Sequence, residues 1–331
     1  MMMTWFIILL GVAWWCAIRH VRTDIPLSAD GFMIRNMTYT DDAVSAPYCW
    51  RPLAPWVGRV IGLKGGSIVG TIAFVYLCVR IVGDPIAAPL VALAIVFSPF
   101  YGEFFLWYWD YGDAINCAVT AWCVLATMTG SYWVVVPLVL VGFARESAAL
   151  AVAVWVFAFH AASGAWTTGL LLAILPCAAL TIAYTTRKED RDNRHPLVEA
   201  DRAATFRRWI TFKTKSTGGH ALVTFWHTLR PLRGFVLAVP FVFPYIQPSF
   251  RCGLLAFIPL AILAIPASGQ SRAWGYGLPF LLPFVGRLAP EYICLLALVH
   301  VWYWGTGVAY FDETGGKHRF NAVERKWTAL G

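Results

Sequence analysis

Apolar runs recur along this chain from residue 4 to residue 309, and no block of soluble character separates them. They lie near 4 to 18, 67 to 82, 86 to 100, 113 to 129, 132 to 143, 147 to 160, 165 to 185, 234 to 247, 253 to 267, 276 to 289 and 291 to 309. A helical crossing of a bilayer takes about 20 apolar residues, and several of these runs are shorter. The expectation is an all-α, polytopic transmembrane helical bundle of tilted or short helices, one integral domain over residues 1–331. Composition agrees: 59% of residues are hydrophobic and 13% charged, against about 25% charged in an average soluble domain. Seventeen Trp and thirteen Tyr suit a large surface at headgroup depth. The first run, TWFIILLGVAWWCAI, has no basic segment before it and no small-residue cleavage site after it, so it reads as a retained first span. Two polar loops interrupt the pattern, at 19–66 and 187–233.

The number of spans turns on VVVPLVLVGFARESAALAVAVWVFAF, residues 134–159, which holds Arg145 and Glu146 at its centre. A charge at mid-bilayer is disfavoured by roughly 2.5–3.5 kcal/mol on insertion scales, and two adjacent charges need a reason. As one helix the run would extend ~39 Å against a hydrocarbon core of ~30 Å. Adjacent helical residues point about 100° apart, so the pair cannot satisfy itself as an i,i+4 pair does. A break at Arg145 gives about eleven spans, and an unbroken helix gives ten. With the break, one face of the bundle receives every Lys and Arg except Arg80, Arg251 and Arg287, and every Asp and Glu except Asp84 and Glu291. We therefore expect a turn at Arg145. The excess of basic residues on that face, read by itself, points to the cytoplasm.

Candidate chemistry falls on that face. Asp24, Asp30, Asp41 and Asp42 lie between the first span and the WRPLAPW stretch; each reads equally as a turn-initiating residue and as a general base. Asp110 and Asp113 of WYWDYGDAIN stand at a helix start, where capping and a site role are compatible. Arg51, Arg145 and Arg272 sit at matching depth, and the planar fork of arginine suits phosphate. Snorkelling to lipid headgroups is the alternative for each of them.

Other templates are absent. The chain contains no GxxxxGK[ST], GxSxG or HExxH, and its seven His are dispersed. Eight scattered cysteines without a CxxC pair form neither a disulfide framework nor a zinc site. Five acidic residues interleave with the basic ones of 187–233, so a solvated or surface-lying segment is expected there, not a nucleic-acid site.

In order and spacing, the stretches ADGFMIRN, PYCWRPLAPW, WYWDYGDAIN, VGFARESAAL and SRAWGYGLPFLLP resemble the integral-membrane glycosyltransferases of the C-type fold (GT-C), which use polyprenyl-phosphate-linked sugars. The likeness spans residues 1 to about 290 and rests on no single specific motif. It implies inverting transfer of a sugar from a polyprenyl-phosphate donor to a lipid, glycan or protein acceptor. Carried over by position, Asp30 is the first choice for the catalytic acid, with Asp24 behind it and Asp110 as a second acid. Arg51, Arg145, Arg272 and Tyr276 would contact the donor phosphate, with Asp113 and Glu146 beside them. The family's first-loop carboxylate serves as base or binds a metal, so the resemblance allows a divalent cation without requiring one. It also puts the charged face outside, in an inner or plasma membrane, against the basic-residue argument; we adopt the external assignment. A lipid or lipid-linked-sugar transporter and a non-catalytic membrane scaffold are the alternatives.

Overall fold

A computed structural model describes residues 1–21, 29–40, 51–98, 101–102, 104–107, 112–186, 232–264, 274–301, 309–311, 317–321 and 326–330. The body is helical. In chain order the helices are α1 (Met2–Val21), α2 (Ala29–Tyr39), α3 (Leu53–Ile61), α4 (Leu63–Val82), α5 (Ala87–Val96), α6 (Phe104–Trp107), α7 (Asp113–Met128), α8 (Val135–Gly142), α9 (Glu146–Ala162) and α10 (Trp166–Thr186). After the long polar segment come α11 (Arg233–Val242), α12 (Pro248–Gly253), α13 (Phe257–Ala264), α14 (Leu278–Val285) and α15 (Pro290–Val301).

Among the described residues two helices, α4 with 20 residues and α10 with 21, are long and apolar enough to cross a membrane. At 1.5 Å per residue each extends ~30 Å, the thickness of a hydrocarbon core. Helix α1 also has 20 residues, and the remaining apolar runs form shorter helices, some continued by a 3₁₀ turn, such as α11 with Phe243–Tyr245 and α12 with Leu254–Ala256. Proline sets part of this shortness: Pro240 and Pro283 stand inside α11 and α14, and each removes an amide donor from its helix.

One expectation changes. The segment 19–66 is not an open loop, because it carries α2 and α3, and α4 begins within it. Of the run 291–309, α15 covers Pro290–Val301, and β1 begins at Ala309. The helical body agrees with the all-α expectation, and after it comes a small three-stranded antiparallel sheet, β1 (Ala309–Phe311), β2 (Lys317–Asn321) and β3 (Lys326–Leu330), in the order β1-β2-β3. Its register pairs Tyr310 with His318 and Phe320 with Trp327. Tyr310, Phe311, Phe320, Trp327 and Thr328 are of the types that strands favour.

The run 134–159 is broken where its charges fall. After α8 the amides of Phe143 and Ala144 bond to Leu140 and Val141, tightening the last turn, and Arg145 is extended at φ −162°, ψ 141°. Gly142 permits the approach of α10: a Cβ there would lie 2.5 Å from Ala179 Cβ and 2.6 Å from the Pro176 carbonyl oxygen. Past the turn, α9 runs through the middle of the core, with Ala148, Ala149, Ala151, Val152 and Val156 fully buried. It packs on α8 and α10 on one side and on α7, α12 and α13 on others.

A second close crossing sets the neighbouring layer. A Cβ at Gly70 would lie 2.7 Å from the Ile115 backbone nitrogen, so α4 rests against the first turn of α7. Phe74 extends the contact into an aromatic group with Tyr101 and Phe105, ring centroids 5.4–5.5 Å apart. The outer face of α10 carries exposed Trp166, Leu170, Leu171, Ile174 and Ile182, while its buried face is lined by Gly169, Pro176, Ala179 and Ala183.

Candidate functional site

Four helices begin at one place. The amide of Leu53, first residue of α3, donates to the carbonyl of Phe143 in the α8–α9 turn at 3.2 Å. Gly112, just before α7, adopts the left-handed conformation at φ 69°, and a Cβ there would lie 2.3 Å from Ala54 Cβ in α3. Conformation and space both demand glycine at this position. Arg145 immediately precedes α9, and Tyr276 lies two residues before α14. Trp56 of α3 packs on Phe143, ring centroids 5.4 Å apart.

Charged and aromatic side chains tie these starts together. Arg51 Nη2 lies 2.9 Å from Glu146 Oε2, and Arg51 Nε donates to Oε1 at 3.2 Å and Oε2 at 3.1 Å. Arg145 Nη1 donates to Asp113 Oδ1 at 3.2 Å, and the Tyr276 hydroxyl donates to the same oxygen at 2.6 Å. The Arg145 guanidinium also lies 5.6 Å from the centre of the Tyr276 ring, within cation–π range. Tyr101 secures the loop before α14 by donating to the Gly275 carbonyl at 3.1 Å.

The electrostatics are self-consistent. Helix starts carry partial positive charge, and Asp113 and Glu146 are the first residues of α7 and α9, where acids are favoured. Two arginines then balance two carboxylates. Glu146 precedes the apolar run 147–160. Burial pushes its carboxyl upward, but the charges of Arg51 and Arg145 and the Arg51 hydrogen bonds outweigh it, and the group is held below its ordinary 4.5.

Of the residues singled out in the sequence, Arg51, Asp113, Arg145, Glu146 and Tyr276 meet in this junction. Asp30 lies in the first turn of α2, which packs on α3; its side chain lies outside the described residues. Asp24, Asp110 and Arg272 also lie outside them. The junction does not fit a divalent cation, because both carboxylates are engaged by guanidinium groups. Among the described residues no group of three or more His, Cys, Asp or Glu could hold a metal.

Two participants escaped the sequence reading. Asn116, one turn into α7, and Ser147, second residue of α9, are buried, and Asn116 Oδ1 and Ser147 Oγ have no hydrogen-bond partner among the described residues. Their only sequence signal is polarity inside an apolar run.

Together, fold and site define a helical protein with, among the described residues, two helices fit to cross a membrane and a buried, charge-paired junction of helix starts. The chain matches no protein-family model, no curated protein and no solved structure.

Proposed function

We propose that this chain is a multi-spanning membrane glycosyltransferase that transfers a sugar from a polyprenyl-phosphate carrier to an acceptor hydroxyl, with inversion. One observation carries the reading. The break at Arg145 collects two arginines, two carboxylates and a tyrosine at a recessed point between short apolar helices. The apolar outer face of α10 supports a lipid environment, since such a continuous surface is unfavourable in water.

In this reading the acceptor oxygen attacks the anomeric carbon while the bond from that carbon to the phosphate oxygen breaks. Negative charge grows on the departing polyprenyl phosphate. Arg51 and Arg145 offset it, and at a site shielded from water a fixed cation is worth far more than in bulk solvent. Asp30 takes the acceptor proton, with Asp24 and Asp110 as the other carboxylates of the polar face. Asp113 and Tyr276 orient Arg145, and Glu146 orients Arg51. The active face is external, and the shorter apolar helices complete a bundle of about eleven spans.

The test is a panel of polyprenyl-phosphate-linked hexoses and pentoses offered to the purified chain in liposomes, with release of polyprenyl phosphate as the readout. At least one donor is expected to turn over, and Arg145→Ala is expected to slow it by about 10²–10³. No release from any donor, or equal release by Arg145→Ala, contradicts the proposal.

A further inference from the structure

Hydroxyls in these helices ordinarily bond back to the carbonyl four residues earlier: Thr71 to Ser67 at 2.7 Å, Thr120 to Asn116 at 2.9 Å, Thr127 to Cys123 at 2.8 Å. Ser147 does not. Four residues before it is Phe143, whose carbonyl already accepts the Leu53 amide. Nor does Ser147 cap α9, because it stands two residues past the capping position, which Arg145 occupies. Asn116 Oδ1 is an acceptor, and among the described residues no N–H or O–H donates to it. Both residues are more than nine-tenths buried, at 4% and 5% exposure. A buried polar atom without a partner destabilises the chain that carries it, so it calls for an occupant.

The two orphans lie on helices that meet at the Arg145–Asp113 contact. Asn116 follows Asp113 by three residues and shares its face of α7. Ser147 follows Arg145 by two residues, and the 3.2 Å contact between Arg145 and Asp113 joins the two locations. Helices α7 and α9 pack directly on each other. A charged half, able to meet an anion, thus adjoins a neutral half that offers one hydroxyl and one carboxamide oxygen. The neutral half suits a ligand group that both donates and accepts hydrogen bonds.

We infer that Ser147 and Asn116 form a hydroxyl-recognition subsite for the sugar of the donor, alongside the arginines that meet its phosphate. This rests on the glycosyltransferase reading above and adds to it the residues that sense the sugar. Asn116 Oδ1 accepts a hydrogen bond from a sugar hydroxyl, and Ser147 Oγ donates to or accepts from a neighbouring one. A site that hydrogen-bonds a hydroxyl discriminates strongly against a ligand lacking it, because its own polar atoms are then left unmet. The same lipid phosphate with and without its sugar should therefore be told apart here.

The experiment measures binding of two probes to the full chain in nanodiscs: a polyprenyl phosphate, and the same lipid carrying a hexose or a pentose. Ser147→Ala and Asn116→Leu are expected to weaken the sugar-bearing lipid about tenfold and the bare lipid less than twofold. Both variants should melt no lower than the parent without ligand, because each removes an unmet polar atom; a merely structural role would lower the melting temperature. Equal loss for both lipids, or no loss for the sugar-bearing one, overturns the subsite and leaves the function reading standing, as would an internal water satisfying the two atoms. If the parent chain binds neither lipid, the function reading falls and the subsite with it.

Discussion

Arg145 Nη1 lies 3.2 Å from Asp113 Oδ1, so the residue just before α9 is tied to the first residue of α7. Both side chains are largely buried, at 13% and 6% exposure, and removing one partner of such a pair strands the other's charge. Arg145→Ala and Asp113→Ala are each expected to destabilise the protein by about 3–5 kcal/mol. Asp113→Ala combined with Arg145→Ala should cost less than the sum of the two. Tyr276→Phe keeps the ring over Arg145 and loses only the bond to Asp113, so it should cost about 1.5–3 kcal/mol, as hydrogen bonds to charged groups do. Thermal unfolding in detergent checks all four variants.

Glycine at 112 is required twice, by its left-handed backbone and by Ala54. Gly112→Ala should destabilise by roughly 2–5 kcal/mol, combining a left-handed penalty with overpacking. Gly130 supplies the control: at φ 62° it has nothing within 4 Å of a built Cβ, so Gly130→Ala should cost only about 1–2 kcal/mol. Equal melting temperatures for the two variants would contradict the close packing of α3 on α7.

The break at Arg145 was legible because two adjacent charges in an apolar run cannot both be satisfied inside one helix. Arg51 stood out as a basic residue at the depth of Arg145, Asp113 as an acid at a helix start and Glu146 as the charge beside Arg145, while Tyr276 came only from the family resemblance. Their pairing did not, because Arg51 finds Glu146 95 residues away and Asp113 finds Tyr276 at a separation of 163. Such partners are set by how α7, α9 and α14 pack, and no local pattern encodes that. The helix α3 was missed because Pro52 and Pro55 mark the stretch as a turn, although LAPWVGRVI has an apolar face at helical spacing. Ser147 was invisible for a subtler reason: Arg145 is extended, so the carbonyl four residues before Ser147 is not on its helix.

Acid should act through Glu146. Its carboxyl is held below the ordinary 4.5 in the folded protein, so the unfolded chain binds a proton at higher pH than the folded one. The stabilisation is fully present above the ordinary carboxylate value and is lost as pH falls through the lowered folded value. A melting-temperature profile against pH should decline on that acid limb. Glu146→Gln should be less stable at neutral pH and show a shallower decline, and a limb of unchanged slope would contradict the role given to the Arg51 pair.

Sidedness divides the argument from basic residues from the argument from family resemblance. With about eleven spans and an external charged face, a reporter fused after Gly331 is expected outside the membrane. A cytoplasmic reporter would contradict either the number of spans or the external site.

The most direct test of the account is whether the junction holds a phosphate. The ³¹P spectrum of a polyprenyl phosphate added to the chain in nanodiscs of zwitterionic lipid provides that measurement. A shifted or broadened phosphate signal with the parent protein, restored to its free position when Arg51→Ala and Arg145→Ala are combined, is the predicted result. A signal that the parent chain leaves unchanged would contradict the account.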